Sequence, residues 1–241
     1  MLMAQRDDAQ REHLMRFFKT GPGQYGEGDR FLGLKVPQTR ALVKQIRLRV
    51  AQDEIVRLLY SPWHEVRLCA LLLLVEEMKA GLPKARDSRE ILMAKVERRE
   101  RIAELYLTHA RQANNWDLVD LSCEYILGPY IRYAGDESYG ILRRLALSDN
   151  LWEQRISVVT TLDFVRNGIL SPSLAICDML LAHPHDLIHK AVGWVLREVG
   201  KKDVRALSDY LEKNHSRIAR TTLRYAIEKM NEAERHYWLH R

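Results

Sequence analysis

The chain has 241 residues, 46% of them apolar and 29% charged, enough for one large domain in which about 70% of the unfolded surface can be buried. The longest apolar block, Leu68 to Val75, is far short of the roughly 18 residues of a membrane span, which excludes a helical membrane protein. The net charge of +6 and a pI near 9.2 favour a polyanionic partner.

Helical periodicity runs from end to end and strand-like alternation is nearly absent, which predicts an all-α protein. A first helix is expected over Leu2 to Lys19, ended by Gly21-Pro22-Gly23. Its acidic Asp7, Asp8 and Glu12 are unlike a signal segment, so the expected compartment is the cytoplasm, at the nucleoid in a bacterium. Gly21 to Val36 holds five of the twelve glycines and reads as a loop, with Pro37 opening the next helix. Its Gly26-Glu27-Gly28 is not followed by Gly-Lys-Ser/Thr, so it does not signal a nucleotide.

One theme then recurs, in which a polar turn leads into a helix with a basic residue near its start and an apolar run after it. It appears as Ser61 to Arg67 before Leu68 to Val75, and as Asp149 to Arg155 before Ile156 to Leu162. It returns as His185 to Lys190 before Ala191 to Leu196, and as His215 to Arg220 before Thr221 to Ile227. With a central helix over Asn114 to Ile126, the units lie about 30 to 50 residues apart, the spacing of HEAT-like repeats. One domain over residues 1–241 is therefore expected, a curved α-solenoid with a concave basic face.

In the central helix, Asn114 or Asn115 is the expected cap. Trp116 and Asp120 fall at i and i+4 on one face, while Leu118, Val119 and Leu121 take the buried side. An aromatic beside a carboxylate suits a planar or cationic ligand; the plain alternative is a half-buried tryptophan beside a solvated aspartate. Arg155, Lys190, Trp194, Arg197, Arg220 and Arg224 share faces at helical spacing in the later units, a stripe suited to a phosphate backbone. The competing role, bonding the carbonyls of a neighbouring repeat, weighs evenly for Arg67 and Arg220. Trp63, Trp152 and Trp238 read as packing residues, and Lys201-Lys202 as a helix C-terminus. His183, His185 and His189 read as turn and cap residues. Cys69, Cys123 and Cys177, without any C-x-x-C, read as reduced core residues, and neither metal nor cofactor is expected.

Asp120 is the odd member, because an acid on a phosphate-facing surface weakens binding unless it does chemistry. Asn115 to Asp120, Leu151 to Arg155 and His189 to Glu198, with Phe31-Leu32-Gly33-Leu34-Lys35-Val36-Pro37, together resemble the ordered signature blocks of the AlkD-type DNA alkylation repair glycosylases. The resemblance implies a HEAT-like superhelix and a monofunctional enzyme that releases N3- and N7-alkylated purines, such as 3-methyladenine and 7-methylguanine, from double-stranded DNA. It implies that the lesion is not inserted into a pocket. It also implies Asp120 as the catalytic carboxylate, Trp116 and Trp194 as aromatic walls and Arg155 as the active-site arginine. Two departures stand out: Asn115 occupies a position where many members have an aromatic, and the Gly21 to Gly28 loop, which holds Tyr25, is long. The alternative is a non-catalytic helical repeat module that binds DNA structures or a protein; in either case a monomer is expected.

Overall fold

In the computed structural model, residues 1–135 and 139–241 are described. After a 3-10 turn at Leu2–Gln5, the helices are α1 (Asp8–Phe17), α2 (Val36–Ile46), α3 (Gln52–Leu59), α4 (His64–Ala80) and α5 (Arg89–Thr108). A second 3-10 turn, Ala110–Gln112, precedes α6 (Trp116–Asp120) and α7 (Cys123–Ala134). The rest are α8 (Tyr139–Ala146), α9 (Leu151–Thr160), α10 (Leu162–Arg166), α11 (Ser171–Leu180), α12 (Asp186–Lys202), α13 (Val204–Asn214), α14 (Arg220–Ala226) and α15 (Glu232–His240). The protein is all-α, as the periodicity predicts. Among the described residues strand-like pairing takes the form of an isolated bridge between Arg30 and Trp63. None of their helices is long and apolar enough to cross a membrane.

The chain forms two compact units, residues 1–126 and 127–241. In the first, α4 is the hub, packed by α2, α3, α5 and α6. Leu68 to Val75 are all buried, as a helix apolar on every side must be. In the second, α12 is the hub, contacted by α9, α10, α11, α13 and α14. The approach of α14 to α12 is close enough that a Cβ at Gly193 would meet Thr222 O at 2.7 Å; any larger residue would force the helices apart. The four repeated turns do lead into helices, namely α4, α9, α12 and α14.

Several boundaries differ from expectation. The first helix is split at Arg6-Asp7, because the Asp7 carboxylate accepts from Gln10 N and caps α1 there. Pro37 is the second residue of α2, whose first turn starts at Val36. The helix expected over Asn114 to Ile126 is two helices. Ser122 Oγ donates to Leu118 O at 2.5 Å, Tyr106 OH lies 3.1 Å from the same Oγ, and α7 starts one residue later. A serine that bonds the preceding turn competes with the backbone ladder and bends it. Leu121 caps the end of α6 half-exposed instead of entering the core. Leu118 and Val119 are fully buried, Trp152 and Trp238 are buried, and Trp63 is half-buried at the cap of α4.

Candidate functional site

Asn115 is the cap of α6, its Oδ1 accepting from Trp116 N at 2.9 Å. One turn of helix then places Trp116 and Asp120 on the wall of a single cavity of about 440 Å3 within the first unit. Both are half-buried, so each offers surface to a ligand while its backbone stays fixed. Phe17 and Phe18, at the end of α1, extend the aromatic wall. Trp116 stacks on Phe18 at 5.2 Å between ring centres and meets the edge of Phe17 at 5.9 Å. Lys35 is the lysine among the lining residues.

The floor of this cavity is ionic, which the sequence did not announce. His64, 2% exposed, meets Asp29 through Nδ1 and Asp117 through Nε2, both at 2.8 Å. Arg67 Nη2 donates to the other oxygen of Asp29 at 2.7 Å, and Arg67 Nη1 to Ser61 O at 2.9 Å. A neutral imidazole has one N–H and would turn a lone pair to the second carboxylate, so this geometry requires imidazolium. Burial alone would lower the pKa of His64, but Asp117 and Asp29 outweigh it and raise it to about 9. Burial would likewise raise Asp29, yet its bonds and attraction to His64 and Arg67 hold it below the usual carboxylate range. The His64 ring also stacks on Phe31 at 4.4 Å and lies 5.0 Å from Phe18, placing the cation on aromatic faces. One signal was available: His64-Glu65-Val66-Arg67 opens a helix buried all round, and buried charges need partners.

Glu65 is the second buried anchor. Its carboxylate accepts from the amides of Leu32, Gly33 and Leu34 at 2.8, 2.8 and 3.0 Å. These bonds pin the Phe31 to Pro37 element to α4. The fit of α1 against that element turns on Gly33, whose φ is +93° and whose Cβ, if present, would overlap the Asp7 carbonyl oxygen.

Trp116 and Asp120 belong to the first unit; the other six sequence-predicted residues belong to the second. On α12, Lys190, Trp194 and Arg197 are the half-buried members between buried Ala191, Val192, Val195 and Leu196. They share the face expected from their spacing, but carboxylates accompany the cations. Lys190 pairs with Asp186 at 2.6 Å, and Arg197 with Glu228 and, at 3.6 Å, Glu198. Arg155 is buried, 5% exposed, and its Nη1 donates to Leu187 O at 2.5 Å. Arg220 is exposed and donates to Leu239 O at 2.6 Å. The carbonyl-bonding role foreseen for Arg67 and Arg220 is therefore also taken by Arg155. Arg67 bonds the turn before its own helix, whereas Arg155 on α9 reaches α12 and Arg220 on α14 reaches α15. Arg224 is exposed.

His185 caps α12 by accepting from Leu187 N at 3.1 Å, and His183 accepts from His185 N at 3.0 Å. His189 bonds the His183 carbonyl. Among the described residues no group of three or more His, Cys, Asp or Glu is set to hold a metal. The three cysteines are buried and form no disulfide, and burial pushes the Cys69 thiol up to about 11.

Among curated proteins none matches this chain. A predicted DNA alkylation repair enzyme from Enterococcus faecalis has a similar solved structure, with a TM-score of 0.70 at 15% identity, covering 94% of this chain and 97% of that one. At that identity the likeness is one of fold, the all-α repeat architecture. Residues 1–230 match the family profile described as DNA alkylation repair enzyme, and a match over nearly the whole length places this chain in the DNA alkylation repair enzyme family.

Proposed function

We propose that this protein is a monofunctional DNA glycosylase that hydrolyses the N-glycosidic bond of N3- and N7-alkylated purines in duplex DNA. The observation that carries this reading is the difference between the two acids of α6. Asp117 is buried beneath the wall, whereas Asp120, one turn away, is half-buried on the cavity beside Trp116. The first holds the helix; the second is accessible to a substrate.

Alkylation at N3 or N7 makes the purine a cationic leaving group. As its bond to C1′ lengthens, positive charge moves to the sugar. A carboxylate about 4 Å from that charge contributes on the order of 4 kcal/mol at an effective dielectric of 20, or roughly a thousandfold in rate. Asp120 takes this role and orients the water whose oxygen bonds to C1′, that water giving up one proton to the Asp120 carboxylate and from there to solvent, while the base departs as a neutral alkylpurine with the electron pair of the broken bond. Trp116 packs the deoxyribose, and Trp194 of the second unit is a further aromatic contact to the DNA. The products are a free alkylpurine and an abasic site; no strand cleavage follows, because no amine attacks the sugar.

The lesion is processed without insertion into a base pocket, so the cost of extruding a nucleotide is avoided. In the second unit Lys190, Arg197 and Arg224 present cations to the phosphate backbone. Arg155 and Arg220 combine a structural carbonyl bond with a positive charge that adds to the same potential. The protein works as a cytoplasmic monomer of HEAT-like repeats forming one domain, without metal or cofactor.

The test is Asp120→Asn on methylated duplex DNA. Release of 7-methylguanine should fall about a thousandfold, with duplex affinity kept or tightened because a charge that repels phosphate is gone. Equal release by variant and wild type would overturn the assignment and leave a DNA-binding module.

A further inference from the structure

We propose that His64 is a positioning residue for the reaction assigned above, fixing Trp116 and Asp120 by bridging Asp29 to Asp117 beneath them. The inference rests on that glycosylase reading for its catalytic consequence, but not for its structural one. α6 has five residues, too short to hold its own conformation, and its N-terminal turn must be set from outside. Asp117 ties α6 to the charged floor, at 2.8 Å from His64 Nε2, while its other oxygen accepts from Leu118 N at 2.9 Å. The ring that donates to Asp117 also meets Phe18 at a tilt of 38°, 5.0 Å between ring centres, and Phe18 stacks on Trp116. The imidazolium thus fixes α6 twice, through the Asp117 carboxylate and through the aromatic contacts.

Loss of the ring proton removes one of the two donors and leaves two buried anions facing one neutral imidazole. The helix then has to move away from His64, taking both site residues with it. The charged groups that face this ring are few. Asp29 and Asp117 touch it, Arg67 stands behind Asp29, and Glu65 is the next residue along α4, bonded to backbone amides. Asp120 and Lys35 line the same cavity, and α1 contributes only Leu14, Phe17 and Phe18 to its wall. The raised pKa, about 9, puts the transition within reach of an assay.

Two measurements decide the proposal. The first uses the native protein at a temperature where far-UV circular dichroism shows it folded at every pH. Trp116 emission, taken as the difference between wild type and Trp116→Phe, should change in one step centred near pH 9. In Asp117→Asn, which removes the stronger of the two anions, the step should move to lower pH. The second is single-turnover release of 7-methylguanine. His64→Gln should slow it by about a hundredfold, the cost of roughly 1 Å of misplacement, with duplex Kd within about threefold. The wild-type rate should fall on the alkaline side with the same midpoint as the emission step.

An emission difference that is flat from pH 7 to 10.5, or a midpoint indifferent to Asp117→Asn, would overturn the proposal. So would wild-type release rates in His64→Gln. If the wild type releases no base at all, the glycosylase reading fails, and the emission titration still decides whether His64 sets α6.

Discussion

Raising the pH should remove a specific portion of the stability of the first unit, because His64 enters the fold as a cation. Its pKa is about 9 in the folded protein, against 6.5 for an unperturbed histidine. The folded state therefore binds the proton more tightly than the unfolded chain. The resulting stabilisation is complete below pH 6.5 and is lost as pH rises through 9. A shift of that size is worth about 3 kcal/mol. For a chain of this length, Tm should fall by about 10 °C between pH 6.5 and 10 from this group alone. The assay is thermal unfolding, followed by circular dichroism across that range for wild type and for His64→Gln. The variant is destabilised throughout but lacks the proton, so the difference between the two curves isolates the histidine. A constant difference would refute the buried imidazolium. The acid side has the opposite sign: the folded pKa of Asp29 is depressed, so its contribution is present above the ordinary carboxylate range and is lost as pH falls through the folded value.

Three further substitutions probe the scaffold and the basic surface. Gly33→Ala combines a left-handed backbone with a clash against the Asp7 carbonyl, and should cost at least about 2 kcal/mol in urea unfolding while loosening α1 and its phenylalanines. Arg155→Ala should lower stability by about 2 kcal/mol, because a charged donor to the Leu187 carbonyl is lost in a buried position; an unchanged Tm would mean that the bond is dispensable. Arg224→Ala, at an exposed position, should leave Tm unchanged and reduce the slope of log K against log salt for duplex binding by about one. A salt slope identical to wild type would remove Arg224 from the interface.

The fold was legible because helix formation and burial leave local marks. The 3.6-residue period, the Asn115 cap and the apolar run of α4 can all be read within a single turn or two, whereas the Asp7 cap that splits the first helix was not read. The pairing of Trp116 with Asp120 was legible for the same reason, since one helical turn relates them. What could not be read was set by contacts distant in sequence. Asp29 and Asp117 lie 35 and 53 residues from His64, and no local pattern announces that the three meet. The end of α6 was hidden because Ser122, neither glycine nor proline, does the breaking by bonding the turn before it. Arg155 looks like any surface arginine until its neighbour across the helix layer, the Leu187 carbonyl, is known. The basic stripe of α12 was read without Glu228, which comes from 31 residues away.

The buried set of Asp29, His64, Arg67 and Asp117 has two positive and two negative members, so its formal charge is zero. Replacing any one leaves an uncompensated ion in a dry interior, a loss of roughly 3 to 5 kcal/mol, whereas exchanging an opposite pair together preserves neutrality. Sequence drift at these positions should therefore proceed by coupled steps, Asp29 changing with Arg67 or His64 with Asp117. A double-mutant cycle on either pair should return a coupling energy near the upper end of what contacting residues show, about 3 kcal/mol.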